Sequence, residues 1–389
     1  MKKIIILGST GSIGKQTLEI IKKDKNKFKI LLLSTDKNIN LISKQIKTFK
    51  VKNIVVTNKE KYKLLKKRFK KIRIFPDFKK IDKELIIKAD YAMSAISGIE
   101  GLRPTINIIK KTKRIAIANK ESLICGWSLI QKELKKYKTE FIPVDSEHFS
   151  IWSVIKDYQK SDIEKIILTA SGGPFLNKKI KKNVSPREAI SHPNWTMGKK
   201  ISTDSATMMN KIFEIIEAKK IFNIPLNKFE ILIHPKSYVH AIVKLKNGLI
   251  KIIAHDTDMK IPISNSIYMG DNNQNYTKSK KINMNVLNSL NFQKVRIKKF
   301  PVIKILDKIT KKESLFDTVL VSINDELVNL FLENKIKFLD ISSKLWYLIN
   351  SPFFSKFKHQ KPKNLAQIEK LNEFVRLKTR SLSVISRTK

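Results

Sequence analysis

The chain has 389 residues, 42% hydrophobic and 29% charged, a balance that excludes a largely disordered protein. Its 79 Lys+Arg against 34 Asp+Glu give a formal net charge of +45, and its one cysteine, Cys125, excludes an intrachain disulfide and points to a reducing compartment. No apolar run reaches the roughly 20 residues needed to span a bilayer, and the opening run stops at Gly8, too short for a signal peptide. The expectation is a soluble, cytoplasmic protein.

Through residue 150, short β-branched runs alternate with helical stretches, the pattern of a parallel α/β sheet. Strands are expected at 3–7, 29–33, 53–56, 91–95, 114–118 and 140–143. Polar clusters follow four of them: Gly8-Ser9-Thr10-Gly11-Ser12-Ile13-Gly14, Ser94-Ala95-Ile96-Ser97-Gly98, Asn119-Lys120-Glu121-Ser122 and Val144-Asp145-Ser146-Glu147-His148. Open parallel sheets bind ligands outside the carboxyl ends of their strands, which is where these clusters fall. Residues 151–285 read as an α+β domain. It has strands at 164–169 and 229–234, a helix over 205–222, and a hairpin of 241–245 with 249–254 around Asn247-Gly248. A linker spans 286–310. A helical bundle fills 311–389, with helices at 324–334, 339–350 and 366–383.

The first glycine cluster permits a tight turn and lets a helix N-terminus meet a pyrophosphate, so it reads as a dinucleotide loop. After the second strand, Asp36 favours a free ribose hydroxyl and Lys37 a phosphorylated one, leaving NAD and NADP both open. Asp145 and Glu147, at i and i+2 on extended backbone, point to one side and suit Mg²⁺ or Mn²⁺; a lone pair of this kind is more often simply solvated. On a helix starting at Ser205, Asn210, Lys211 and Glu214 share one face, with Ile212, Ile215 and Ile216 opposite. That face suits a phosphorylated substrate bridged to a metal. The Trp195 loop, His192–Gly198, reads as a lid or a packed plug. His148 and His240 are candidates for indirect support, whereas His234, His255 and His359 carry no signal.

The lysines are spread along the whole chain, and the segment 61–71 reads as one helix with a solvated lysine face. This argues for compositional drift over a nucleic-acid surface. Two other classes frame the choice. A semialdehyde dehydrogenase would use Cys125 as nucleophile, and a basic nucleic-acid-binding protein would bind with steep salt dependence.

In one order the chain carries Gly8–Gly14, Asn119–Ser122, Val144–His148, Ala170–Phe175, His192–Gly198, Ser202–Lys211 and His234-Pro235-Lys236-Ser237. In this combination it closely resembles the 1-deoxy-D-xylulose-5-phosphate reductoisomerase family of the non-mevalonate isoprenoid route. Asn324-Asp325-Glu326 resembles a further motif of that family. The resemblance implies an NADPH-binding Rossmann-like domain (1–150), a catalytic α+β domain (151–285), a linker (286–310) and a C-terminal helical domain (311–389), in a homodimer. It implies rearrangement and NADPH-dependent reduction of 1-deoxy-D-xylulose 5-phosphate to 2-C-methyl-D-erythritol 4-phosphate, with Mg²⁺ or Mn²⁺.

By motif, Thr10, Gly11, Ser12, Ile13, Lys37, Asn38, Asn119, Glu121 and Gly198 would hold the cofactor. Asp145, Glu147 and Glu214 would ligate the metal. Ser171, His192, Ser205, Asn210 and Lys211 would bind the substrate's phosphate end and backbone. Lys120 and Ser146 would meet its hydroxyl and carbonyl region, and Trp195 and Met197 would lie on the closing flap. Catalysis would rest on Lys120, Asp145, Glu147 and Glu214, with Lys120 and Glu147 as proton shuttles. The chain departs from the family at Asp36, where a small residue is usual, and across Ala254–Lys260.

Overall fold

Ile4, Ile5, Ile6 and Leu7 are all fully buried, so the first strand is covered on both faces, as a central parallel strand must be. The computed structural model describes residues 1–79, 81, 87–195, 197–270, 281 and 283–384. Within them, β1 (Lys2–Leu7), β2 (Phe28–Thr35), β3 (Asn53–Val56), β4 (Arg73–Phe75), β5 (Ala89–Ser94), β6 (Thr112–Ile117) and β7 (Glu140–Pro143) form one sheet. Its order is β4-β3-β2-β1-β5-β6-β7, and every pairing is parallel. The order reverses between β1 and β5, which makes the gap beyond their carboxyl ends the topological switch point.

This α/β, Rossmann-like sheet agrees with the expected class, and each of the six expected strands is present. The seventh, β4, was not expected; three residues in a lysine-rich stretch are too short to show a period. The helix Ser12–Lys23 lays Leu18, Ile20 and Ile21 onto the sheet, and Lys22 and Lys23 in its last turn suit the negative end of its dipole. The lysine-rich helix expected over 61–71 runs from Lys59 to Arg68 and buries only Leu65, which fits a solvated face.

The chain folds as two units. The first comprises Met1–Leu123, Ser128–Phe149 and a stretch entered again at Met259. That returning stretch holds the helix Lys260–Tyr268. It is fastened by Tyr268 Oη donating to Asp24 at 2.6 Å, by the Tyr91–Ser266 hydroxyl pair at 2.7 Å, and by Lys260 against Glu19 at 2.8 Å. Met259, near the end of the divergent Ala254–Lys260 segment, packs on the first unit's core.

The second unit comprises Ile124–Trp127, Ser150–Asp258 and the chain from Lys281. Its sheet joins β8 (Ile163–Ala170), β9 (Phe229–Ile233), β10 (Val239–Leu245), β11 (Ile250–Ala254) and β12 (Gln293–Lys294) in the order β11-β10-β8-β9-β12. β8 and β9 are parallel and the remaining pairs antiparallel. Asn247-Gly248 makes the expected hairpin turn, with Gly248 at φ +88°. Three long helices, Phe316–Leu332, Phe338–Asn350 and Leu365–Val384, pack in the C-terminal part; the first starts eight residues before the expected position. No helix among the described residues is long and apolar enough to cross a membrane.

Candidate active site

In the first unit the site is built at the strand ends. Gly8 leaves β1 at φ +76°, and a Cβ there would lie 2.6 Å from the Ala95 carbonyl oxygen beyond β5. A Cβ on Gly14 would fall on the Gly8 carbonyl. These two glycines therefore let the turn close tightly at the switch point. Gly11 precedes the helix Ser12–Lys23 and has no side chain with which to cap it, so among the described residues the N–H groups around Ser12 and Ile13 receive no N-cap side-chain bond. Thr10 Oγ1 shares a 2.7 Å hydrogen bond with Thr35 Oγ1, tying the loop to the end of β2. Beyond it, Asp36 accepts from Thr57 Oγ1 at 2.8 Å, Lys37 is exposed, and Asn38 caps the helix Ile39–Phe49 by accepting from Leu41 N–H.

After β6, Asn119 is fully employed in shaping the loop. Its side chain accepts from Ser122 N–H at 2.8 Å, capping the helix Lys120–Tyr137, and donates to the carbonyls of Ile96 and Gly98. Glu121 is buried in the first turn of that helix. Lys120, only 8% exposed, donates to Asp145 Oδ2 at 2.6 Å, so a cation from the end of β6 meets a carboxylate from the end of β7. The other Asp145 oxygen accepts from Glu147 N–H at 3.3 Å and lies 3.5 Å from His148 Nδ1. Ser146 donates to the Glu147 carboxylate.

Asp145-Ser146-Glu147 is not extended: the helix Ser146–Ile155 begins at once, and Glu147 lies in its first turn with Asp145 just before it. A carboxylate at that position satisfies the helix's N–H groups, which is why the chain turns so early.

In the second unit the site is built from side chains. Directly after β8 comes Ser171, whose hydroxyl lies 2.9 Å from His192 Nε2 and accepts from Gly173 N–H at 3.1 Å. His192 Nδ1 accepts from the N–H groups of Asn194 and Trp195 at 3.1 and 3.0 Å. Nδ1 therefore carries no proton, and Nε2–H donates to Ser171. Burial pushes the His192 pKa down to about 4, so the ring is neutral at physiological pH.

The flap around it is anchored by Asn194, which donates to Pro235 O at 2.6 Å and to Ser237 Oγ at 2.8 Å. Trp195 packs edge-on against His240 at 6.1 Å, and His240 stacks on His255 at 3.7 Å. Met197 is half-buried, Gly198 precedes the helix Lys199–Thr207, and Thr196 lies outside the described residues. His255 carries no signal as a lone residue in the sequence. The signal that finds it is the hairpin, since His240 and His255 are equidistant from Asn247-Gly248.

No helix starts at Ser205, where one is expected. Two helices are present, Lys199–Thr207 and Met209–Phe222, broken at Met208 with φ +70°. Ser205 sits in the last turn of the first, its hydroxyl donating back to Ile201 O at 2.9 Å, and does not cap the second. The face expected on the second helix is present. Asn210 Nδ2 donates to Glu214 Oε1 at 2.5 Å, Lys211 pairs with Glu214, and Ile212, Ile215 and Ile216 are buried in the core. Gly173, at φ +65°, lets the Ser171 loop approach the Ser205 carbonyl so closely that a Cβ would lie 2.9 Å away.

Cys125 is buried, and burial pushes its thiol far up, so it offers no thiolate nucleophile. The semialdehyde-dehydrogenase alternative loses its central residue.

Comparison with known proteins points one way. Residues 4–126 match the family model for 1-deoxy-D-xylulose 5-phosphate reductoisomerase, and residues 141–222 and 255–378 match the models for its two C-terminal domains. A protein of that name from Pelagibacter ubique (strain HTCC1062) is 56% identical over 99% of this chain and 100% of its own. A solved reductoisomerase from Zymomonas mobilis in complex with NADPH superposes with a TM-score of 0.87 at 30% identity, covering 98% of this chain and 99% of that one. Another, in complex with NADPH, fosmidomycin and magnesium, gives 0.91 at 29% identity and covers 100% and 99%.

Proposed function

The chain belongs to the 1-deoxy-D-xylulose 5-phosphate reductoisomerase family, and from that premise we propose how its residues divide the work. It is an NADPH-dependent oxidoreductase that, with a divalent metal, converts 1-deoxy-D-xylulose 5-phosphate to 2-C-methyl-D-erythritol 4-phosphate.

The residues suit both groups. At the switch point, two glycines without room for a Cβ and a helix start with no side-chain cap form a cradle for a pyrophosphate. Thr10, Gly11, Ser12 and Ile13 hold that part of NADPH, and Lys37 and Asn38 hold the ribose phosphate. Asn119 acts through its backbone, since its side chain is spent on the loop. Glu121 and Gly198 complete the set. The oxygen-only donors Asp145, Glu147 and Glu214 suit Mg²⁺, and Mn²⁺ serves as well. When bound, the metal supplies positive charge for the substrate's oxygens, and NADPH supplies the hydride.

The protein's own contribution starts from the phosphate end. Ser171, Ser205, Asn210 and Lys211 bind the substrate phosphate, and neutral His192, its Nε2–H on Ser171, keeps that hydroxyl oriented. Lys120 and Ser146 meet the hydroxyl and carbonyl region. Lys120, held on Asp145, and Glu147, held by Ser146, are the groups that move protons. Trp195 and Met197 cover the bound substrate and exclude water.

We read the functional division as 1–150 for the cofactor, joined by the stretch returning at Met259, the rest of 151–285 for catalysis, 286–310 as a linker that also lends β12 to the second sheet, and 311–389 as helical support. The enzyme works as a cytoplasmic homodimer with no specific nucleic-acid partner. The edge strand β11 supports the dimer: Ile250 and Ile252, on one face, are 59% and 52% exposed.

The observation that carries the reading is that the glycine cradle and the Lys120–Asp145 pair lie at the carboxyl ends of one parallel sheet. The test is Glu214→Gln, assayed by loss of NADPH absorbance with 1-deoxy-D-xylulose 5-phosphate across a Mg²⁺ titration. We expect a loss of about 10²–10⁴-fold in kcat and a higher Mg²⁺ requirement, with NADPH binding unchanged. Wild-type kinetics in that variant would remove Glu214 from the site.

A further inference from the structure

Asp204 and Asn324, which the chemistry above does not use, meet behind the helix that carries Ser205. Asp204 is 2% exposed and Asn324 is wholly buried. Asn324 Nδ2 donates to Asp204 Oδ1 at 2.8 Å, and Lys200 Nζ lies 3.2 Å from Asp204 Oδ2. The same ammonium lies 2.9 Å from Asp325 and sits over the Phe213 ring. Carboxylate, amide and ammonium thus fasten the Lys199–Thr207 helix to the Phe316–Leu332 helix. Behind them Glu326 faces Arg376 at 3.3 Å and Arg380 at 2.5 Å, which extends the network to the Leu365–Val384 helix.

Packing alone does not call for such a set. Well-packed apolar residues usually match or exceed the stability of a buried ion pair. Asn324 Oδ1 has no hydrogen-bond partner among the described residues, a cost that a leucine would avoid. What a directional network adds is register: apolar helix faces tolerate a small slide, whereas a buried hydrogen bond does not. Register matters at this helix because Ser205 directly follows Asp204, and because the Ser171 loop approaches the Ser205 carbonyl with no slack at Gly173.

We propose that Asp204 and Asn324 are a positioning pair for the substrate's phosphate end. They set the height of Ser205 opposite the Ser171 loop, so the C-terminal helices contribute to substrate affinity without touching the substrate. This rests on the reading of Ser205 as a substrate-binding residue.

The test is steady-state kinetics of the full-length enzyme with Mg²⁺. Asn324→Ala raises KM for 1-deoxy-D-xylulose 5-phosphate about 10-fold, leaving kcat within about 2-fold and KM for NADPH unchanged. Asp204→Asn, which keeps an acceptor for Asn324, does less damage than Asp204→Ala. In a Ser205→Ala background, Asn324→Ala adds less than about 2-fold, because both changes remove the same interaction. Should Asn324→Ala lose its fold by circular dichroism, Lys200→Met replaces it, with an expected rise in substrate KM of about 3-fold. A fall in kcat at unchanged KM, or full additivity with Ser205→Ala, overturns the proposal. If Ser205→Ala itself leaves KM unchanged, the reading of Ser205 fails and takes the positioning role with it.

Discussion

At the end of β1 the chain presents backbone: two glycines, an uncapped helix start and a carbonyl in near contact. Around Met208 it presents side chains, with an amide, an ammonium and a carboxylate packed along Met209–Phe222 and a serine on the helix before the break. The backbone site tolerates almost no added atom but is indifferent to most side-chain chemistry. The side-chain site has the reverse sensitivity: it depends on which groups are charged and on the register that holds them.

Gly14→Ala breaks this comparison most severely. The added Cβ meets the Gly8 carbonyl, so KM for NADPH should rise by about 10²-fold or more and stability should fall by about 1–3 kcal/mol. Kinetics and thermal melting together check it. A normal NADPH KM would mean that the glycine loop does not set cofactor affinity.

The side-chain site should respond to pH where the backbone site does not. His192 has a folded pKa of about 4 against an ordinary 6.5, so between these values the unfolded chain takes up a proton that the folded chain refuses. Its contribution is intact above about pH 6.5 and is lost as pH falls toward 4. Melting curves from pH 7.5 to 4.5 should show a decline that His192→Gln makes shallower. The same variant should raise substrate KM about 10-fold at neutral pH by releasing the Ser171 hydroxyl. Parallel melting curves for the two proteins would detach His192 from this behaviour.

The smallest effect is expected at Asp36, the family departure whose carboxylate is turned onto Thr57. Asp36→Gly should raise the preference for NADPH over NADH only about 2–5-fold, since an exposed charge acts weakly through solvent. Side-by-side assays with the two cofactors decide it. A preference that moves toward NADH would reverse the sign assigned to this residue.

The same contrast governs how much could be read without coordinates. The Rossmann-like sheet and its glycine loop were legible because buried parallel strands are continuous apolar runs and the glycines mark the turn themselves. β4 escaped because three residues show no period. The face of Asn210, Lys211 and Glu214 followed from helical spacing, but the break at Met208 did not: a left-handed methionine carries no local mark and is imposed by the surrounding packing. Asp145 and Glu147 were legible as a pair, yet not as residues on either side of a helix start. Asn324 stood out only as part of a motif, and its contact with Asp204 spans 120 residues.

The return of the chain at Met259 has a consequence for synthesis. While the ribosome makes the first unit, Tyr91 and Asp24 emerge long before Ser266 and Tyr268, the residues that later bond to them. More than a hundred residues of the second unit separate Phe149 from Met259. The nascent first unit therefore waits with one flank open until that segment has been translated, and closing so long a loop is slow compared with pairing neighbouring strands. A stop near residue 258 would leave this flank uncovered for good, so early truncations should be aggregation-prone rather than merely inactive.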